Sequence, residues 1–379
     1  MAYLAVVASL APLGLNLGVG LQPVFADGSS LDAGQQGGLV AAFALGLGLG
    51  QPASGDAADR WGRRPALIGG LVLAVAGALL SAIAGGTLQL LLGRFITGLG
   101  LAAALVVPRA CLRDSYGGAA LQRAMAMLAL VFALAPALTP AVAWSLSAVA
   151  GWRAPMIVLA VFVSFAVVAA WRTQVETRPA ATRAPTRKAW LDFCRHRKAR
   201  RTTLAFAAIA SPFFIFAAVG PEALRQSSSA GAGTAALVLG VSYLGFALGN
   251  YWAKGRTGTN SSMLFSIGLA VAVLGVAIIA CTLMLPSLLL WIVALSIYAI
   301  GHGIVFPSAF ALVLEDLPQQ AGMATAGIGT VHMSIGGAAA WLAGVLPMRS
   351  HEAAVSVTCV MAVVAMTAWF ITNLKKDLL

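Results

Sequence analysis

What most constrains this chain is where its charges are missing. No Asp, Glu, Lys or Arg occurs from Met1 to Ala26, from Ala33 to Gly55, from Pro65 to Gly93 or from Ala124 to Trp152. The second half repeats the pattern at Thr202–Pro221, Gln226–Ala253, Thr257–Leu314, Leu317–Met348 and Ala353–Leu374. One helix needs about 20 apolar residues to cross the hydrocarbon core of a bilayer. Inside that core no water satisfies a loose peptide group, so only helices and closed barrels can span it. These runs are too long and too evenly apolar for the alternating, roughly ten-residue strands of a barrel. The chain therefore reads as an all-α membrane protein. Composition agrees, with 60% of the 379 residues apolar and 9% charged, against about a quarter charged in an ordinary soluble domain. The net charge of +12 forms no soluble basic face, which excludes a nucleic-acid-binding reading.

The run Thr257–Leu314 holds two helices and breaks at Leu285-Pro286-Ser287. Twelve spans are then expected, at about 3–25, 38–54, 65–84, 88–108, 125–147, 154–171, 203–221, 231–252, 263–284, 287–306, 322–347 and 353–374. The first lacks a basic leading region and is long for a signal-peptide core, so it is expected to be retained. In the second, Gly46, Gly48 and Gly50 offer small residues for close helix contact.

Basic residues beside the spans set the orientation. With the amino terminus inside, Arg153, Arg225 and Arg349 face outside and Arg94 lies within a span, which leaves the other 20 basic residues inside. Both termini are therefore expected in the cytoplasm, with the protein in the bacterial inner membrane. The longest polar segment, Arg172–Arg201, carries ten Lys or Arg together with Pro179 and Pro185. It divides the chain into a six-helix bundle at 1–171, a cytoplasmic linker at 172–202 and a second six-helix bundle at 203–379. The linker is expected to lie near anionic headgroups rather than to bind RNA, with a short amphipathic helix near Ala189–Ala199. The four cysteines, Cys111, Cys194, Cys281 and Cys359, show no C-x-x-C spacing, so neither disulfides nor a metal site is expected.

The second and third spans are joined by Gly55-Asp56-Ala57-Ala58-Asp59-Arg60-Trp61-Gly62-Arg63-Arg64-Pro65. Glycines let helix ends approach and turn, Asp59 can cap or pair at a helix end, and Arg60, Arg63 and Arg64 anchor the inner side. This G-x-x-x-D-R-x-G-R-R-P pattern resembles the signature loop of the major facilitator superfamily, in which a charge network steadies the outward-facing state. Arg94-Phe95-Ile96-Thr97-Gly98-Leu99-Gly100 is similar to the superfamily's R-x-x-x-G-x-G stretch in the fourth span. Pro136 and Pro140, among the small residues of the fifth, look like the antiporter motif of drug exporters. Gly301-His302-Gly303 and Phe306-Pro307 look like the matching helix of the second half, and Lys254-Gly255-Arg256 like the degenerate partner of the signature loop. Together these are most similar to the bicyclomycin- and chloramphenicol-resistance (Bcr/CflA) group of drug–proton antiporters.

Members of that group often carry an acidic residue midway along the first span, where this chain has Asn16. The Asp and Glu residues all lie near expected span ends, yet proton coupling needs an interior group that ionises. His302 and His332 can do so, with an unperturbed pKa near 6.5; a transmembrane histidine also serves simply as an interhelical hydrogen-bonding residue. Arg94 has two readings. On the functional reading it faces a central cavity beside Asn16, Gln22 and Gln51, attracting an anionic or electron-rich group; on the structural one it bonds backbone carbonyls of a neighbouring helix or snorkels outward. With His332, these four are the candidate substrate residues. Asp59, Arg113 and Asp114 lie at the inner ends of spans two to five, where ion pairs could lock one conformation.

The resemblance implies two pseudo-symmetric halves with a site between them and alternating access by rocking. It implies export of a small amphipathic, drug-like compound in exchange for protons. The alternative is transport of a metabolite, such as a siderophore or an amino-acid derivative, with or without proton coupling. The expected partners are a small-molecule substrate, protons and membrane lipids, with no nucleic acid and no cofactor, in a monomer. An enzyme is not expected, since the chain lacks a G-x-S-x-G elbow, a phosphate-binding P-loop and a histidine-rich cluster.

Overall fold

The computed structural model describes residues 2–18, 25, 28, 30–116, 120, 124, 127–128, 139–177, 187–228, 231–256, 260–317 and 321–374. Helices account for nearly all of them. In chain order these are α1 (Ala2–Leu17), α2 (Ala33–Arg60), α3 (Arg63–Ala82), α4 (Thr87–Ser115), α5 (Thr139–Ala150), α6 (Ala154–Thr173), α7 (Arg187–Arg195), α8 (Arg197–Ser228), α9 (Ala232–Lys254), α10 (Ser261–Cys281), α11 (Leu288–Asp316), α12 (Ala321–Val345) and α13 (Ser350–Leu374). Among the described residues, nine are long and apolar enough to cross a bilayer. The shorter apolar α1 and α5 and the glycine-rich α2 fill the remaining places in the expected series of twelve.

Several helices outrun their apolar cores. The signature segment is not an extended loop, because α2 continues through Asp56, Asp59 and Arg60, and only Trp61 and Gly62 separate it from α3. An Asp56–Arg60 ion pair of 2.9 Å, one turn apart, suits a helix, and Pro65 sits in the first turn of α3, where its missing N–H costs no ladder bond. The fourth and eleventh helices pass Pro108 and Pro307 to end at Ser115 and Asp316. A helix leaving the bilayer stops at its cap and not at the membrane surface, so the expected ends at 108 and 306 are too short. At the other extreme, α1 stops at Leu17, short of the expected residue 25, and residues 19–24 lie outside the described set.

The chain divides into two compact units, one of residues 1–31 and 39–187, the other of residues 32–38 and 188–379. In the first, α4 is the hub. A methyl group on Gly98 would strike the Phe43 carbonyl of α2, and one on Gly46 the Phe95 carbonyl of α4, so these glycines bring the two backbones into contact. Phe25, Leu39, Leu90 and Trp152 form a buried cluster near one end of the bundle, with Phe25 and Trp152 edge to face at 5.7 Å. In the second unit α8 is the most buried helix, while Gly303 and Gly249 bring α9 and α11 together much as Gly98 and Gly46 join α2 and α4. The linker helix α7 is amphipathic, seating buried Phe193 against Gly327 of α12.

Candidate functional site

Three constellations carry the chemistry. The first is the α2–α3 junction. Gly62 has φ of +110°, a region that suits glycine. The two N–H groups opening α3 are accepted not by a local cap but by the Glu176 carboxylate, which follows α6: Arg63 N donates to Oε1 at 2.9 Å and Arg64 N to Oε2 at 3.2 Å. Any side chain on Gly62 would collide with that carboxylate. A carboxylate also complements the positive end of the helix. Arg63 turns inward, 3% exposed, and reaches Asp59 at 2.5 Å through Nη1 and Asp114 at 2.9 Å through Nε. Asp114, on α4, is 7% exposed and Asp59 22%. The guanidinium thus ties α2, α3 and α4 together, while Arg64 donates to the Trp171 carbonyl at 2.6 Å and adds α6. Arg113 is exposed, and Arg60 pairs with Asp56. Gly55 lies within α2, facing Val106.

The second constellation is Arg94, fully buried on α4. Its Nη1 donates to the Gly14 carbonyl at 2.8 Å and its Nη2 to the Leu15 carbonyl at 3.2 Å. These are among the last carbonyls of α1, which a helix terminus leaves without in-helix partners and where its dipole favours a cation. The guanidinium carbon also lies 4.5 Å from the centre of the Phe43 ring, a cation–π contact. The guanidinium is thus bonded to backbone carbonyls of a neighbouring helix. Gly18, whose missing side chain leaves room for the guanidinium, completes the seat. Asn16 is fully buried next to it, with Nδ2 on the Pro12 carbonyl at 2.8 Å. Gln51 is buried on α2 with no partner for Nε2 among the described residues. Gln22 and Pro136 lie outside the described residues, and Pro140 is buried at the start of α5.

The third lies in the second unit. His302 on α11 and His332 on α12 are buried, and neither Nε2 has a hydrogen-bond partner among the described residues. Both rings flank Phe206 of α8, with centroids at 6.4 and 4.7 Å. Tyr298 stacks on His302 at 5.8 Å, Phe246 approaches it at 5.1 Å, and Phe214 meets His332 edge-on at 5.3 Å. Gly336 provides the space that the Phe214 ring fills. Beside His302 is a cavity of about 30 Å³ bordered by Ser242, Tyr243 and Tyr298, enough for one water. The Tyr298 hydroxyl does more than stack. It donates to the Ile209 carbonyl at 3.0 Å and accepts from Phe213 N at 3.2 Å, two groups that would otherwise bond each other along α8. This insertion, next to Pro212, opens the ladder of α8 where proline has already removed a donor.

Sequence reasoning missed Glu176 and the aromatic box. Nothing local marks Glu176, since its partners lie more than a hundred residues away. The box did leave a signal, because Tyr298, His302, Phe306 and Phe310 recur every fourth residue and so share one face of α11.

Long apolar helices and few interior charges define a multi-pass membrane protein. The chain belongs to the Major Facilitator Superfamily, whose sequence profile matches residues 3–341, and is accordingly a transporter and not an enzyme. It is 24% identical to the uncharacterised MFS-type transporter YdgK of Bacillus subtilis, over 90% of this chain and 87% of that one. It is also 24% identical to the multidrug resistance protein MdtL of Escherichia fergusonii, over 94% and 91%. Among solved structures, a POT family transporter in complex with 5-aminolevulinic acid superposes with a TM-score of 0.78 at 13% identity, covering 97% of this chain and 93% of that one.

Proposed function

We propose that this transporter moves a small amphipathic compound out of the cell in exchange for protons, as a member of the Bcr/CflA group. The observation that carries the reading is the imidazole pair. Among the described residues no Asp or Glu lies deep in a span, and an arginine stays charged. His302 and His332 are then the interior groups able to take up and release a proton. Resemblance to a multidrug resistance protein over nearly the whole chain supports the drug-like substrate. Asn16, Gln22, Gln51 and Arg94 in the first half, with His332 in the second, are the polar side chains offered to it. Arg94 holds the end of α1 on which Asn16 sits, so a compound touching one moves the other. The Arg63–Asp59–Asp114 tie, with Gly55, Arg60, Gly62, Arg64 and Arg113 around it and Pro136 and Pro140 in the fifth span, serves as the gate. The protein sits as a monomer in the inner membrane with both termini cytoplasmic, and the segment 172–202 joins halves 1–171 and 203–379.

The test is uptake into inverted vesicles with and without an imposed pH gradient, for the wild type, His302→Gln and His332→Gln. Wild-type uptake of an exported compound rises with the gradient, while the variants retain exchange of labelled for unlabelled compound and lose the gradient dependence. Wild-type uptake indifferent to the gradient refutes antiport. It would leave the second reading, a facilitator for a metabolite, which Asn16 favours because it stands where the resemblance expects an acid.

A further inference from the structure

A groove of about 750 Å³ runs along the second unit between α9, α10 and α11, apart from all three constellations. Its walls are aliphatic, formed by Ile267 and Val271 of α10 and Ile300 and Ile304 of α11. Leu248 and Tyr251 of α9 border it and are 62% and 76% exposed, so it opens sideways, toward the hydrocarbon that surrounds a membrane helix. One end is different. There Lys254 closes α9 and Arg256 follows, its guanidinium stacked 3.6 Å from the centre of Trp252 with Nη1 on the Trp252 carbonyl at 3.3 Å. No carboxylate lines the groove among its described residues. The two acids ending α11 are engaged elsewhere, Glu315 by Ser261 at 2.7 Å and Asp316 by Lys198 at 2.5 Å.

A basic mouth on an oily channel asks for an anion and a hydrocarbon chain in one molecule. The depth fits. Val271 lies ten residues into α10, about 15 Å at 1.5 Å per residue, which is half of a roughly 30 Å hydrocarbon core and so the length of one leaflet's acyl chain. The volume also falls within the roughly 300–1,000 Å³ of small-ligand sites. We propose that this groove binds an anionic glycerophospholipid, its headgroup phosphate between Lys254 and Arg256 and one acyl chain along Ile267, Val271 and Ile304. Basic pockets between spans are suited to such headgroups, and the Trp252 stack holds the Arg256 guanidinium in place. The bound lipid braces α9 against α10 and α11 whatever compound the protein transports.

The test is native mass spectrometry of the full chain in detergent, titrated with dioleoylphosphatidylglycerol or dioleoylphosphatidylcholine. The wild type retains one phosphatidylglycerol at least about tenfold more tightly than phosphatidylcholine, the scale expected for two basic residues at a lipid surface. In Lys254→Gln/Arg256→Gln the preference disappears and phosphatidylcholine binding is unchanged. Both side chains are exposed, and an unaltered thermal midpoint checks that this variant folds. Val271→Phe, which narrows the wall, weakens both lipids. Excess inorganic phosphate leaves the lipid bound. Retained preference in the double variant, or displacement of the lipid by phosphate alone, overturns the proposal.

Discussion

Replacing Arg94 by methionine keeps an unbranched apolar stem but removes the guanidinium, and with it the charge and all its donors. The structure sets the terms. Two hydrogen bonds from a charged donor, at 2.8 and 3.2 Å, contribute about 1.5–3 kcal/mol each, and the Phe43 ring adds about 0.5–2 kcal/mol. Against this stands relief of a fully buried charge, itself worth several kcal/mol. The α1 carbonyls decide the sign. Leu15 still accepts from Gly18 N at 3.2 Å, but Gly14 loses its cross-helix donor, and an unsatisfied buried carbonyl costs about 1–3 kcal/mol. We expect a net loss of about 2–4 kcal/mol for Arg94→Met on these terms. Arg94→Lys, which keeps the charge without the fork that spans two carbonyls, loses about half as much. The assay is the thermal midpoint of the purified protein in detergent, followed by intrinsic fluorescence, with the order wild type, Lys, Met. A methionine variant that melts at or above the wild type would refute this reasoning. It would mean that the buried charge costs more than its bonds return.

Three further outcomes follow from the other constellations. Gly62→Ala puts a methyl group at φ of +110° and into the Glu176 carboxylate, and is expected to lose about 1–3 kcal/mol in thermal midpoint with reduced transport. Asp114→Asn breaks a nearly dry ion pair and is expected to cost close to 3 kcal/mol, the low end for a buried pair, because Asp59 still holds Arg63. Asp59→Asn, at a more exposed carboxylate, costs less in the same melts. Tyr298→Phe frees Phe213 N–H and the Ile209 carbonyl to bond each other, so the midpoint changes by under about 1 kcal/mol and hydrogen exchange at the Phe213 amide slows. Faster exchange there would show that α8 cannot close without the hydroxyl.

Charge-free runs made the helical class and the spans legible, because hydrocarbon tolerates neither a loose peptide group nor an unneutralised charge. The same logic could not find helix ends. Beyond the bilayer a helix continues as long as pairs such as Asp56–Arg60 support it, and the expected ends near 108 and 306 fall short of Ser115 and Asp316 because a proline removes only one ladder bond. The signature residues announced a charge network, and Arg63, Asp59 and Asp114 do meet, while Arg113 is exposed, a difference that spacing along one helix does not reveal. Arg94 was recognisable as costly. That its partners are the carbonyls ending α1 depended on knowing where α1 stops, which no composition rule gives inside an apolar run.

The packing of α3 on α4 and of α10 on α11 shows what the two units share. A methyl on Gly70 would meet the backbone at Gly100, one on Gly77 Thr97, and one on Gly100 Ala74. In the second unit Gly268 meets Gly301, Gly275 meets Tyr298, and Gly301 meets Ala272. The spacing within each helix is the same, so the register is the same, and it carries Arg63 onto Ser261 and Asp114 onto Glu315. Those two also touch, hydroxyl to carboxylate at 2.7 Å, in the place where the first unit has guanidinium to carboxylate at 2.9 Å. The geometry of the contact has been kept while its charge has not. A hydroxyl on an exposed carboxylate is worth about 1 kcal/mol or somewhat more, whereas a nearly dry ion pair costs about 3–5 kcal/mol to break. The stabilisation held in this contact is thus unequal between two similarly packed bundles. Introducing Ser261→Arg should therefore stiffen the second unit and slow transport, while an unchanged rate would show that the α10–α11 contact does not open in the cycle.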